Sequence, residues 1–159
     1  MFSRIFPKQA DNSYRGSRIA VLLLAIVSFM KGMQGAVSVF DTRNVVMTAD
    51  GIPLDTYGAA AGDTVIALTA LLGSLLVVIA LLGVVAVIRY RALVPLMLLV
   101  QLVVQLSSRV ILTMHPVVRA AHTDLGFAGH PVGYWVNLAI LAMTVIGFVL
   151  SLTDRKSAR

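Results

Sequence analysis

Long apolar runs separated by short polar segments dominate the sequence. The run between Arg18 and Lys31 contains only twelve residues, which at about 1.5 Å per helical residue is too short to cross a hydrocarbon core about 30 Å thick. The first membrane-spanning helix must therefore continue through Lys31 and end before Asp41. Together with the other charge-free runs, the pattern predicts four transmembrane helices, over residues 19–40, 64–88, 92–114 and 132–153.

The composition supports this prediction. Hydrophobic residues make up 58% of the 159 residues and charged residues only 13%, so the chain is far more apolar than an average soluble domain. We predict an all-α fold, a polytopic membrane bundle of four helices that occupies residues 1–159 as one domain. In the first outer loop, the turn signals "ADG" and "IP" and the β-prone run "NVVMT" predict a short hairpin or a cap, with an irregular loop as the alternative.

Lysine and arginine residues lie mostly on one side of the predicted spans. The N-terminal tail, the turn between spans two and three and the C-terminal tail hold nine of them, whereas the other two loops hold only Arg43 and Arg119. Because short loops rich in these residues stay in the cytoplasm, both termini are predicted to be cytoplasmic, with residues 1–16 as a basic tail. The segment "MFSRIFPK" either lies on the inner membrane face or frays. The net charge of +6 therefore indicates membrane lipids, not nucleic acid, as partners.

Few groups for catalysis or metal binding are present. The chain has no Cys, which excludes disulfides and thiolate metal sites. No catalytic triad, phosphate-binding loop or dinucleotide-binding motif fits the predicted topology, so an enzyme is not indicated. His115, His122 and His130 are weak candidates for metal ligands, because their spacings match no compact ligand motif.

Polar side chains inside the predicted spans form two stripes. On the first helix, at about 100° per residue, four groups lie within about 80° of one another: Lys31, Gln34, Ser38 and Asp41. On the third helix, one face carries Gln101, Gln105, Ser108 and His115, with Arg109 beside it. Both helices run outward, so these groups should meet in the outer half of the bundle.

Charged residues at this depth are expected to pair, because an isolated cation at the bilayer centre costs roughly 2.5 to 3.5 kcal/mol on insertion scales. Arg109 is predicted to form an ion pair with Asp41 or Asp63, whose carboxylates suit its planar guanidinium. Lys31 lies deeper, and its candidate partners are the anionic group of a ligand or three glutamines, Gln34, Gln101 and Gln105. A lysine that only fixes helix packing is the alternative.

The fourth span carries a further polar seam. Asn137, Thr144 and Ser151 are each seven residues apart and therefore share one helix face. Such a seam is typical of hydrogen bonds between membrane helices, and this is the role that we predict for it.

The layout resembles the DoxX-like class of small bacterial membrane proteins. The features that carry the resemblance are the four spans, the longer first outer loop, the basic turn "RYRALVP" (89–95) and the arginine in "QLSSRVI" (105–111). The resemblance implies a multi-pass protein of the bacterial cytoplasmic (inner) membrane that works beside a redox or detoxifying partner and contacts quinone.

The main functional hypothesis is a small binding or accessory membrane protein. Its pocket in the outer half would hold a lipid head group, a quinone or another small amphiphile, lined by Lys31, Gln34, Gln101, Gln105 and Arg109. The alternative is a transporter coupled to protons or ions. It would have to be a homo-oligomer, because four helices alone enclose only a narrow core. An enzyme would have to use Lys31 as its base or its imine-forming amine.

Overall fold

The computed structural model describes residues 2–14, 16–117 and 132–153, which form helices and turns without a β-strand. His122 and His130 lie outside the described residues, as does the C-terminal basic tail at 154–159. The helices are α1 (Phe2–Ile5), α2 (Arg18–Phe40), α3 (Thr42–Asn44), α4 (Ala59–Ile88), α5 (Val94–Met114) and α6 (Val132–Leu152).

Four of these helices, α2, α4, α5 and α6, are long and apolar enough to cross a membrane, which confirms the four predicted spans. The largest difference between the predicted and the observed spans is the start of the second span, which the charge pattern predicts after Asp63. α4 instead begins five residues earlier, at Ala59, and contains Asp63. Three alanines begin the helix, and alanine has the highest helix propensity of all residues. Asp63 is exposed there, so its charge does not end the helix.

The loop after α2 is helical, and the predicted hairpin is wrong. Asp41 N–H donates to the carbonyl of Val37, and the Thr42 hydroxyl donates to the carbonyl of Ser38 at 2.7 Å, so the chain continues through α3 into a π-helical turn, Val45–Ala49. Gly51, with a φ of 70°, then redirects the chain towards a 3₁₀ turn at Leu54–Thr56.

This loop nevertheless covers the ends of the long helices. Val46 is fully buried and Leu54 is 5% exposed, so both side chains point into the protein. The carbonyl of Ala49 lies close to the first turn of α6, where a Cβ added to Gly133 would be only 2.8 Å from the Ala49 oxygen. The loop therefore packs between the C-terminal end of the first span and the N-terminal end of the last span.

Small residues bring α2 and α4 into close contact. A Cβ added to Gly35 would lie 2.6 Å from the carbonyl oxygen of Gly73, and one added to Gly73 would lie 2.7 Å from Cβ of Ser38. Nearer the other end, a Cβ added to Gly83 would overlap the hydroxyl of Ser28. Backbones this close are typical of membrane helices that meet through small residues.

The N-terminal segment is held against the ends of the long helices. Arg4 donates from Nη1 to the carbonyl of Leu152 at 2.7 Å, which places a cation at the C-terminus of α6. Ile5 is 8% exposed, and the N–H of Ala92, in the turn between α4 and α5, donates to the carbonyl of Asp11. The tail, that turn and the end of α6 therefore lie at one end of the molecule, and the N-terminal segment is packed rather than frayed.

Candidate ligand site

Lys31 is the central residue of the candidate site. Its side chain is only 7% exposed, and Nζ donates to Oε1 of Gln34 at 3.0 Å and to Oδ1 of Asn137 at 2.7 Å. An ammonium group has three N–H donors, and both of these partners are neutral amide oxygens. Of the residues described, none forms an ion pair with Lys31.

Asn137 is the partner that the sequence did not assign to this site. Its Nδ2 donates to the carbonyl of Gly133, one turn earlier in α6, at 2.9 Å. This bond fixes the amide so that its oxygen faces Lys31. The polar seam on the fourth span marked Asn137 as a residue that bonds between helices, but the pattern did not identify Lys31 as the other group.

Arg109 contacts an aromatic ring in place of the predicted carboxylates. Its Cζ lies 5.4 Å from the centre of the Tyr134 ring, which is within the range of a cation–π interaction. Neither Asp41 nor Asp63 forms an ion pair with a described residue. The ion pair found in the described part of the chain joins Arg43 and Asp55 at 3.4 Å. The predicted pairing of Arg109 is therefore not formed.

Solvent exposure explains why the carboxylates stay apart from Arg109. Asp41 is exposed at the end of α2 and accepts a hydrogen bond from Asn44 at 3.0 Å, and Asp63 is exposed on α4. Carboxylates that reach water in this way gain little from moving towards a half-buried guanidinium.

Lys31 and Arg109 contact neighbouring turns of α6, and two positive charges placed in this way repel each other. Lys31 contacts α6 at Asn137, and Arg109 contacts it at Tyr134, one turn nearer its N-terminus. Among the described residues, the two cations contact amide oxygens and an aromatic ring, so the site carries a net positive charge inside the membrane-spanning region.

The two glutamines of α5 bind different helices. Gln101 donates to the Ser28 hydroxyl on α2 at 3.2 Å, and Gln105 donates to the Thr144 hydroxyl on α6 at 2.9 Å. The Gln105 carbonyl oxygen is buried and accepts no hydrogen bond from the residues described. Gln105 therefore offers an unused acceptor, whereas Gln101 links α5 to α2.

The remaining candidates do not join this group. His115 is exposed at the end of α5, and within residues 2–14, 16–117 and 132–153 no cluster of three or more His, Asp or Glu residues could hold a metal ion. One groove lies at the end of the spans where α2 begins, and another lies against the loop between α2 and α4. Neither is lined by Lys31 or Arg109, whose immediate surroundings are occupied by Gln34, Asn137 and Tyr134.

No protein-family model, curated protein or solved structure matches this chain. The resemblance to DoxX-like proteins therefore stays a prediction.

Proposed function

We propose that this protein is a four-helix bundle of the bacterial inner membrane, with cytoplasmic termini, that binds a small amphiphile in its outer half. The ligand's head group offers acceptor oxygens, such as a lipid phosphate or a quinone carbonyl. In a cell the protein acts as an accessory subunit beside a redox partner, as the resemblance to DoxX-like proteins implies.

The observation that carries the proposal is the imbalance of charge around Lys31. Placing a cation within the membrane is costly, and proteins usually offset the cost with an anion. Lys31 and Arg109 have amide and aromatic partners instead. An oxygen-rich head group between them would accept hydrogen bonds from both cations and reduce their mutual repulsion.

The unused acceptor of Gln105 supports the same interpretation. A buried carbonyl without a donor costs about 1–3 kcal/mol, and a hydroxyl on the bound head group would supply the donor. Entry of the ligand requires movement of the Gln34 or Asn137 side chain, because both occupy the space around the Lys31 ammonium.

The test is native mass spectrometry of protein purified in a mild detergent. Wild-type protein should carry a specific small-molecule adduct, and Lys31→Met should lose it because the substitution removes the ammonium but keeps the length of the side chain. Lys8→Met is the matched control, since Lys8 is exposed in the N-terminal tail. Equal adduct on the Lys31 variant would contradict the proposal, and the measured mass would reveal an oligomer of the kind that a transporter requires.

A further inference from the structure

A groove lies at the end of the spans where α2 begins, away from Lys31. It is a cavity of about 510 Å³ between the N-terminus of α2 and the turn that follows α4. Lys31 is about 20 Å further along α2 than Arg18, at about 1.5 Å per residue. The groove is therefore distinct from the candidate site described above.

Two arginines line the mouth of this groove. Arg18 is the first residue of α2, and Arg91 follows the end of α4. Arg91 donates through Nε to the carbonyl of Val87 at 3.1 Å, which fixes its guanidinium and leaves the Nη groups for another acceptor. Neither arginine forms an ion pair with any described residue. The nearby Asp11 carboxylate instead accepts hydrogen bonds from the backbone and side chain of Ser13.

Tyr14 adds a buried donor to the same wall. Its hydroxyl is buried and has no hydrogen-bond partner among the residues described, and burial raises the pKa of Tyr14 to about 12. Gly16 allows this arrangement, because a Cβ at that position would overlap the Tyr14 hydroxyl and lie 2.6 Å from the Ser151 carbonyl oxygen. Tyr14 also lines the groove, so a phosphate oxygen bound there would accept this hydrogen bond once the hydroxyl turns out of its buried position.

The floor of the groove is apolar and continues towards the membrane core. Val21, Leu22 and Ala25 follow Arg18 along α2, and Val87 faces them from α4. From Arg18 to Ala25 the helix rises about 10 Å, which reaches from the level of the head groups into the hydrocarbon.

We propose that this groove binds one anionic phospholipid, with its phosphate between Arg18 and Arg91 and an acyl chain along the apolar floor. Basic pockets between membrane helices on the cytoplasmic side are suited to such head groups. A zwitterionic lipid fits less well, because its ammonium would lie beside two guanidinium groups.

The experiment titrates the full-length protein in detergent with phosphatidylglycerol or phosphatidylcholine and counts bound lipids by native mass spectrometry. Wild-type protein should bind one phosphatidylglycerol in preference to phosphatidylcholine. Arg18→Gln and Arg91→Gln should each weaken that binding about fivefold. Arg89→Gln is the matched control, because it removes the same charge two residues away without lining the groove.

Two further arms complete the test. Ala25→Leu should narrow the floor and weaken lipid binding with both arginines intact, and inorganic phosphate alone should not compete, because the acyl chain contributes to binding. Any of three results would overturn the proposal. These are equal loss of lipid in Arg89→Gln and Arg91→Gln, equal affinity of the wild type for the two lipids, and full competition by phosphate. Lys31→Met should leave this binding unchanged, so failure here is separate from failure of the outer site.

Discussion

Nζ of Lys31 on α2 donates a hydrogen bond of 2.7 Å to Oδ1 of Asn137 on α6, and so links the first and last spans. A hydrogen bond to a charged group contributes about 1.5–3 kcal/mol. Asn137→Leu should therefore lower the free energy of unfolding by an amount in this range, measured by chemical denaturation in detergent.

A double-mutant cycle isolates the contact itself. In a Lys31→Met background the buried ammonium is gone, so Asn137→Leu should cost clearly less than it does in the wild type. Additive effects of the two substitutions would show that the bond contributes no coupling energy and would contradict this prediction.

The glycines of α2 and α4 give a prediction about helix packing. Gly35→Ala places a methyl group 2.6 Å from the Gly73 carbonyl oxygen. Backbone cannot move aside as a flexible side chain can, so we expect a lower melting temperature and a lower yield of folded protein. Gly62→Ala is the control, because that glycine is also helical but has nothing within 4 Å of an added Cβ.

The control should be neutral or slightly stabilising, since alanine favours a helix over glycine by up to about 1 kcal/mol. Equal melting temperatures for the two variants would show that α2 and α4 tolerate separation at Gly35.

A substitution of Gln105 can distinguish a structural role of this residue from a role in ligand binding. Gln105→Leu removes one hydrogen bond, to Thr144, but also removes a buried carbonyl that lacks a donor. The free energy of unfolding should therefore change by no more than about 1 kcal/mol. Retention of the ligand at Lys31 should nevertheless fall, because the acceptor is lost.

Both quantities can be measured on one preparation, by denaturation and by native mass spectrometry. The exposed Gln9 provides the control substitution, Gln9→Leu. A marked loss of stability with full retention of the ligand would reverse the assignment and make Gln105 a purely structural residue.

The burial of Tyr14 predicts that the folded protein becomes less stable at alkaline pH. Burial raises the pKa of Tyr14 from its ordinary value of 10.0 to about 12 in the folded protein. The unfolded chain then loses this proton at lower pH than the folded chain does, so stability is unaffected below about pH 10 and decreases as the pH rises towards about 12.

Thermal melting across this pH range should show a smaller decrease for Tyr14→Phe than for the wild type. Tyr90→Phe is the matched control, because it also removes one phenol hydroxyl but leaves Tyr14 in place, and it should behave as the wild type does. Tyrosinate absorbance gives a second measurement, and a Tyr14 that titrates at its ordinary pH would contradict the prediction.

The sequence alone was enough to predict the four membrane-spanning helices and the polar residues that lie within them. The number of residues needed to cross a bilayer and the cost of charge within it are properties of a local segment. Lys31 could therefore be placed inside the first span without knowledge of any neighbour. The start of α4 was predicted less well, because Asp63 is exposed on a helix that extends beyond the position where the charge pattern ended it.

Only the tertiary structure decided which polar groups meet. Periodicity placed Gln101 and Gln105 on one face, yet they bond to Ser28 on α2 and Thr144 on α6. The partner of each side chain depends on the rotation and vertical register of whole helices. Contacts between residues that are distant in the chain, such as Gly35 and Gly73, set this rotation and register. The sequence therefore showed that Asn137 is polar, but it could not show that Asn137 is the partner of Lys31.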